Sequence, residues 1–124
     1  MNIIQNELMP PPAKGHYSHC VEHNEVLYLA GQLPLLPDGS VPDGIEAQTL
    51  LTLQKIENIL KAAGSTKDQI LRNTIYITDI AFWAQVNAVY AEFFGEHRPA
   101  RCIIPCGKLN YGALIEIECT AFRD

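Results

Sequence analysis

Leu114-Ile115-Glu116-Ile117-Glu118-Cys119-Thr120-Ala121 alternates residue by residue between two chemistries. A β-strand points successive side chains to opposite faces. Leu114, Glu116, Glu118 and Thr120 therefore share one side, and Ile115, Ile117, Cys119 and Ala121 share the other. The aliphatic side calls for a cover of helices. The glutamate side faces something else, and what that is decides the architecture.

Outward from this strand, the chain supplies the helical cover twice. Leu50, Leu53, Ile56 and Leu60 recur at helical spacing, which predicts a helix over 45–63 that Gly64 ends. Asp43 with Glu46 three residues on has the form of a capping box. Asp79 is placed to cap a second helix, whose apolar stripe is Phe82, Val86, Val89 and Phe93 and which Gly95 closes. Met1 to Gly15 reads as an edge strand plus a connector, because Met9-Pro10-Pro11-Pro12 can continue neither a helix nor a central strand. Tyr17 to Val21 and Val26 to Leu33 read as two antiparallel strands joined at His23-Asn24-Glu25. The turn-rich run Leu35 to Gly44 is a surface loop. Ile70 to Thr78 alternates Leu71, Asn73, Ile75 and Ile77 against Arg72, Thr74, Tyr76 and Thr78, and is a further strand. Arg101 to Ile104 and Ala113 to Phe122 complete the β segments, with a break at Pro105-Cys106-Gly107. The class is α+β. Two helices cover only one face of such a sheet, so the other, with Tyr76 and Leu114 on it, is expected to be buried against copies of the same chain.

Size and composition bound the rest. The 124 residues suit one domain spanning 1–124, and 48% hydrophobic with 19% charged residues is the profile of a packed globule. The net charge is -5 and the nine basic residues are scattered, which argues against nucleic acid as a partner. No signal-like start and no bilayer-length apolar run is present, so a soluble, cytoplasmic protein is expected. The four cysteines include no C-x-x-C and are expected as free thiols.

Several residues invite chemistry. A glutamate on the partner-facing side of the last strand, Glu116 or Glu118, would move protons on a water if burial raised its pKa, or else belong to a salt bridge. Arg101 opens a strand after Arg98-Pro99-Ala100, where its planar fork suits a carboxylate, though most arginines are simply solvated. His16, His19, Cys20 and His23 are close in sequence, but on a strand His19 and Cys20 face opposite ways and His23 falls in a turn, which argues against a metal site. Cys102 or Cys106 with His97 is a weakly marked nucleophile pair. No nucleophile elbow, phosphate loop or dinucleotide glycine pattern occurs, so chemistry without a cofactor or metal is expected.

Gly15-His16-Tyr17-Ser18, Ala30-Gly31-Gln32, Glu46-Ala47-Gln48-Thr49, Ala62-Ala63-Gly64, Val86-Asn87-Ala88-Val89-Tyr90, Pro99-Ala100-Arg101 and Ile115-Glu116-Ile117-Glu118 stand in the order and spacing of one pattern. Together they resemble the reactive intermediate deaminase family, RidA or YjgF-type, which also carries an endoribonuclease L-PSP label. The resemblance implies a chorismate-mutase-like α+β fold and a homotrimer with sites between neighbouring subunits. It implies hydrolysis of enamine or imine acids such as 2-aminoacrylate, 2-iminopropanoate and 2-iminobutanoate to 2-keto acids and ammonia, with no cofactor. In this reading Arg101 clamps the substrate carboxylate and Glu116 activates water, while Tyr17, Gly31, Asn87 and the backbone at Ile103 line the pocket.

The chain departs from that pattern at His16, where proline is usual, at Ala30 and at Cys102, where serine is common. His16 and Cys102 flank the implied pocket and bear on substrate preference and oxidation. The competing class is a non-catalytic trimer that binds a small keto acid or acts as a regulatory or chaperone-like factor. Ribonuclease activity has less support, given the acidic balance and the lack of a basic stripe.

Overall fold

The computed structural model describes residues 1–8, 12 and 14–124. Most of the proline run, Met9 to Pro11, therefore lies outside the described residues, as does Ala13. In chain order the elements are β1 (Asn2–Ile3), β2 (Cys20–His23), β3 (Val26–Gln32), α1 (Ile45–Ala62), β4 (Ile70–Ile77), α2 (Trp83–Phe94), β5 (Ala100–Pro105) and β6 (Ile115–Phe122). The strands form one sheet in the order β1-β2-β3-β6-β4-β5. Every pair is antiparallel except β4 with β5.

The quoted strand alternates as its sequence predicts. Ile115, Ile117, Cys119 and Ala121 are buried under the helices, and Leu114, Glu116, Glu118 and Thr120 lie on the far side. Beneath α1 and α2 the core joins Leu27, Leu29, Leu53, Ile56, Leu60, Ile75, Ile77 and Val86. Each large aliphatic side chain buried this way stabilises the fold by about 1.5–3 kcal/mol. On the open face Tyr28 and Ile104 are 48% and 39% exposed, and Tyr76 and Leu114 are half-buried. No helix of the described residues is long and apolar enough to cross a membrane.

Local departures from the sequence expectations have local causes. The strand expected from Tyr17 begins only at Cys20, because the chain turns at Gly15 (φ 83°) and Tyr17 packs edge-on against His19 instead of pairing. Asn24 and Glu25 (φ 52° and 68°) make a two-residue left-handed turn between paired His23 and Val26, the geometry that matches strand twist. The capping box is absent. Gly44 (φ 88°) takes the N-cap of α1 with no side-chain cap, and Glu46 instead accepts from Gln85 Nε2 on α2 at 3.1 Å. Leu50, expected in the core stripe, is 42% exposed, while Ile45 and Ile59 are buried. Asp79 does cap: its Oδ1 accepts from the Ala81 N–H at 2.9 Å, in a short 3₁₀ turn that leads into α2. The buried line of α2 is Val86, Tyr90 and Phe94, one position on from the expected stripe, with Phe82, Val89 and Phe93 half-buried. In β4 a register shift between Ile70 and Arg72 turns Leu71 outward and gives the core position to Ile70.

Candidate active site

Arg101 sits on β5 in register with Asn73, whose neighbour across β6 is Cys119, so its side chain leaves the sheet on the helix side. There α2 grips it. Nη2 donates to Asn87 Oδ1 at 2.7 Å, and the guanidinium carbon stands 4.8 Å from the Tyr90 ring centre and 5.6 Å from that of Trp83. Trp83, Asn87 and Tyr90 follow i, i+4, i+7 spacing, which puts them on one helix face. Tyr90 is fixed in turn by buried Asn73, whose Nδ2 donates to the Tyr90 hydroxyl at 2.8 Å. No carboxylate of the described residues lies within ion-pair distance of Arg101. The adjoining cleft, about 430 Å³, is lined by Asn87, Tyr90, His97, Arg98 and Arg101 with no acidic described residue. A guanidinium held by aromatic faces and left without a counter-ion is equipped to take an anion.

Glu116 projects from the opposite face of the sheet, in register with Tyr76. Its carboxylate rests on the α-carbon of Gly31, where any Cβ would overlap Oε2. Gly31 lies in the irregular stretch of β3 between Leu29 and Gln32, which brings that backbone close. Burial, and secondly the charge of Glu118, hold the Glu116 carboxyl above the ordinary glutamate pKa. Glu118 is engaged elsewhere, accepting from the Tyr76 hydroxyl at 3.1 Å. Of the two glutamates, Glu116 is thus the one poised for proton transfer. Beside it, Gly31 and half-exposed Tyr17 line a cleft of about 550 Å³.

The predicted site residues therefore fall into two groups. Tyr17, Gly31 and Glu116 are brought together at β3 and β6, and Asn87 and Arg101 at α2 and β5, where Ile103 lies mid-strand. Within one chain the sheet stands between Arg101 and Glu116. β5 is the sheet edge, and edge strands offer backbone N–H and C=O groups to another molecule. The sequence reading missed Trp83, Tyr90 and Asn73, although the helical spacing of the first two with Asn87 was a usable signal.

The other candidates are dispersed. His16 and His23 are exposed and Cys20 is buried, and no cluster of three potential ligands that could hold a metal occurs among the described residues. His97 Nε2 bonds the Ile70 carbonyl at 2.9 Å and its ring packs on Phe94 on the helix side, whereas Cys102 faces the open side in register with Thr74, so the sheet separates the two. Cys20 and Cys119 are pushed by burial to about 11 and about 12, which makes them inert.

A family model described as Endoribonuclease L-PSP matches residues 8–123. The chain belongs to this family. Among its L-PSP relatives, a RutC family protein of Pyrococcus horikoshii is 38% identical over 124 residues, covering 98% of each chain. Reactive Intermediate Deaminase A of Arabidopsis thaliana is 36% identical over 113 residues, covering 90% of this chain and 60% of that one. The crystal structure of TdcF from Escherichia coli with bound serine superposes with a TM-score of 0.90 at 32% identity over the full length of both chains. A Rid family protein of Yersinia pestis superposes at 0.89 with 40% identity and 98% coverage of each. The mixed six-stranded sheet with two helices on one face is the L-PSP fold, as the resemblance implied.

Proposed function

We propose that this chain is a cofactor-independent deaminase of 2-imino acids, acting on 2-aminoacrylate, its tautomer 2-iminopropanoate and 2-iminobutanoate. The observation that carries the reading is the pair of prepared groups: an Arg101 guanidinium caged with no carboxylate of the described residues within ion-pair distance, and a half-buried Glu116 with a raised pKa. The reaction needs little more. A protonated imine is already electrophilic, so orientation and one proton carrier suffice. Arg101 takes the substrate carboxylate in a two-point grip, and Asn87 fixes the guanidinium. Glu116 accepts a proton from water as its oxygen attacks C2, then delivers that proton to nitrogen. The C–N bond breaks, ammonia leaves, and the C–OH becomes the keto group as it gives up its proton. No electrons are transferred.

Because the two groups leave opposite faces of one sheet, the proposed site forms between subunits of a homotrimer, with Arg101 and Asn87 from one chain and Tyr17, Gly31 and Glu116 from its neighbour. The deaminase name of the Arabidopsis relative supports the chemistry, and serine bound to TdcF supports a small amino-acid-shaped ligand. A purely ligand-binding role would need Arg101 but not Glu116.

The test is to generate 2-aminoacrylate in situ with a serine dehydratase and trap surviving imine with semicarbazide. Wild type should suppress the adduct, and folded, oligomeric Arg101→Ala and Glu116→Gln should each lose at least about 10²-fold in rate. Wild type without effect on any amino-acid-derived imine would sink the reading, and an active Glu116→Gln would point to a binding protein.

A further inference from the structure

The cleft beside Gly31 is basic in a chain that is acidic overall. The chain carries 14 acidic and 9 basic residues. Yet Lys14 and Lys55 both line this one cleft, beside His19, which burial and then the Lys55 charge hold below the ordinary histidine pKa, and no aspartate or glutamate does so among its described lining residues. Nor does any carboxylate of the described residues come within ion-pair distance of either lysine. Lys55 rises from α1 half-buried, with Nζ donating to the Leu33 carbonyl at 2.7 Å. That bond fixes its head and uses one of its three N–H groups. Burial holds the Lys55 pKa below the ordinary lysine value, as expected of a cation that no carboxylate of the described residues neutralises. His19, steadied edge-on by Tyr17, has a buried Nδ1 with no partner.

Position gives this basic lining a use. Tyr17 and Gly31 belong both to the cleft and to the proposed imine site, and Gly31 backs the Glu116 carboxylate. Since Gly31 is shared, a substrate side chain directed from Glu116 past Tyr17 would enter the cleft. In the single chain the cleft, about 550 Å³ and open to solvent, has room beyond a methyl group for a longer side chain. We infer that the cleft receives a second anionic group, and that the favoured substrates are four- and five-carbon 2-imino dicarboxylic acids, whose distal carboxylate meets Lys14 and Lys55. This rests on the deaminase reading and extends it beyond monocarboxylic imines. The reaction remains a hydrolysis: water adds at C2, the C–N bond breaks, and ammonia and a 2-keto dicarboxylate leave. The enzyme supplying such a substrate is then of a different class. Aspartate and glutamate have no β-hydroxyl to eliminate, so their imines arise by two-electron oxidation of the amine, by an oxidase or dehydrogenase, and not by dehydration.

The experiment uses the intact oligomer. Imines are made in situ by oxidases acting on aspartate or glutamate and on alanine or 2-aminobutyrate, and survivors are trapped with semicarbazide. The kcat/KM ratio of acidic to neutral imine should be roughly tenfold or more in wild type, and should fall by about that factor in both Lys14→Gln and Lys55→Gln. Lys55 also holds the Leu33 carbonyl, so Lys14 provides the arm free of that structural bond. In parallel, calorimetry compares binding of the stable products 2-oxoglutarate and 2-oxobutanoate. If neutral imines are consumed with no acidic preference, or if neither variant moves the ratio, the inference falls and the deaminase reading stands. If the dicarboxylate binds about tenfold tighter and loses that advantage in the variants while no imine is consumed, the deaminase reading falls and the anion cleft stands. If neither imine turnover nor preferential binding appears, both fall.

Discussion

Glu116 and Glu118 stand two residues apart on one strand face and differ in what they touch. Glu118 accepts from Tyr76, whereas Glu116 lies against Gly31 with its pKa raised by burial. Their shared face was legible in the alternation of the last strand, but the division of labour was not, because it depends on where Tyr76 and Gly31 arrive from other strands. The same holds for Arg101. Its identity as an anion-binding candidate was readable, and its cage of Trp83, Tyr90 and Asn87 required knowing that α2 crosses β5. A carboxyl with a raised folded pKa is more strongly protonated in the folded state, so folding is penalised above that pKa. The penalty disappears once pH falls below the unfolded value of about 4.3. Glu116→Gln is therefore expected to be slightly more stable than wild type at pH 8, with the difference shrinking toward pH 4 even as activity is lost. Denaturant midpoints at pH 8, 6 and 4, at one protein concentration, check this, and a variant less stable than wild type at pH 8 contradicts it.

At the level of elements, periodicity located both helices and most strands, and it failed where backbone geometry overrode side-chain pattern. Gly44 displaced the Asp43 cap, and the irregularity at Ile70–Arg72 put Leu71 outside and Ile70 inside. The irregular stretch of β3 is the functional counterpart of these. Only a residue without Cβ lets the β3 backbone come this close to Glu116, which gives the Ala30-Gly31-Gln32 motif a physical reason. Gly31→Ala would force the carboxylate aside, and since that carboxylate ends a flexible side chain, the fold should tolerate the move. The expected result is a drop in imine hydrolysis of about 10–10²-fold with the thermal transition within a few degrees of wild type. Activity and circular dichroism melts on one preparation test it, and retained activity would remove Glu116 from its assigned place.

For the molecule as a whole, the open sheet face is the feature that sequence foresaw most simply: two helices cannot cover both sides. What it could not convey is that Arg101 and Glu116 leave opposite faces, so that the proposed chemistry, and not only burial, calls for the proposed assembly. This yields a test by complementation. Arg101→Ala retains Glu116 and Glu116→Gln retains Arg101, and each homo-oligomer should be inactive. If every site draws its two halves from adjacent subunits of a closed ring, random hybrids made by mixing and refolding equal amounts restore an intact pair at about one site in four, the product of about one half for each partner. The mixture should then recover about a quarter of wild-type activity, and none before subunits exchange. Hybrids of native mass that remain inactive would mean that Arg101 and Glu116 serve the same site from the same chain, or different sites altogether, and the intersubunit arrangement would have to be abandoned.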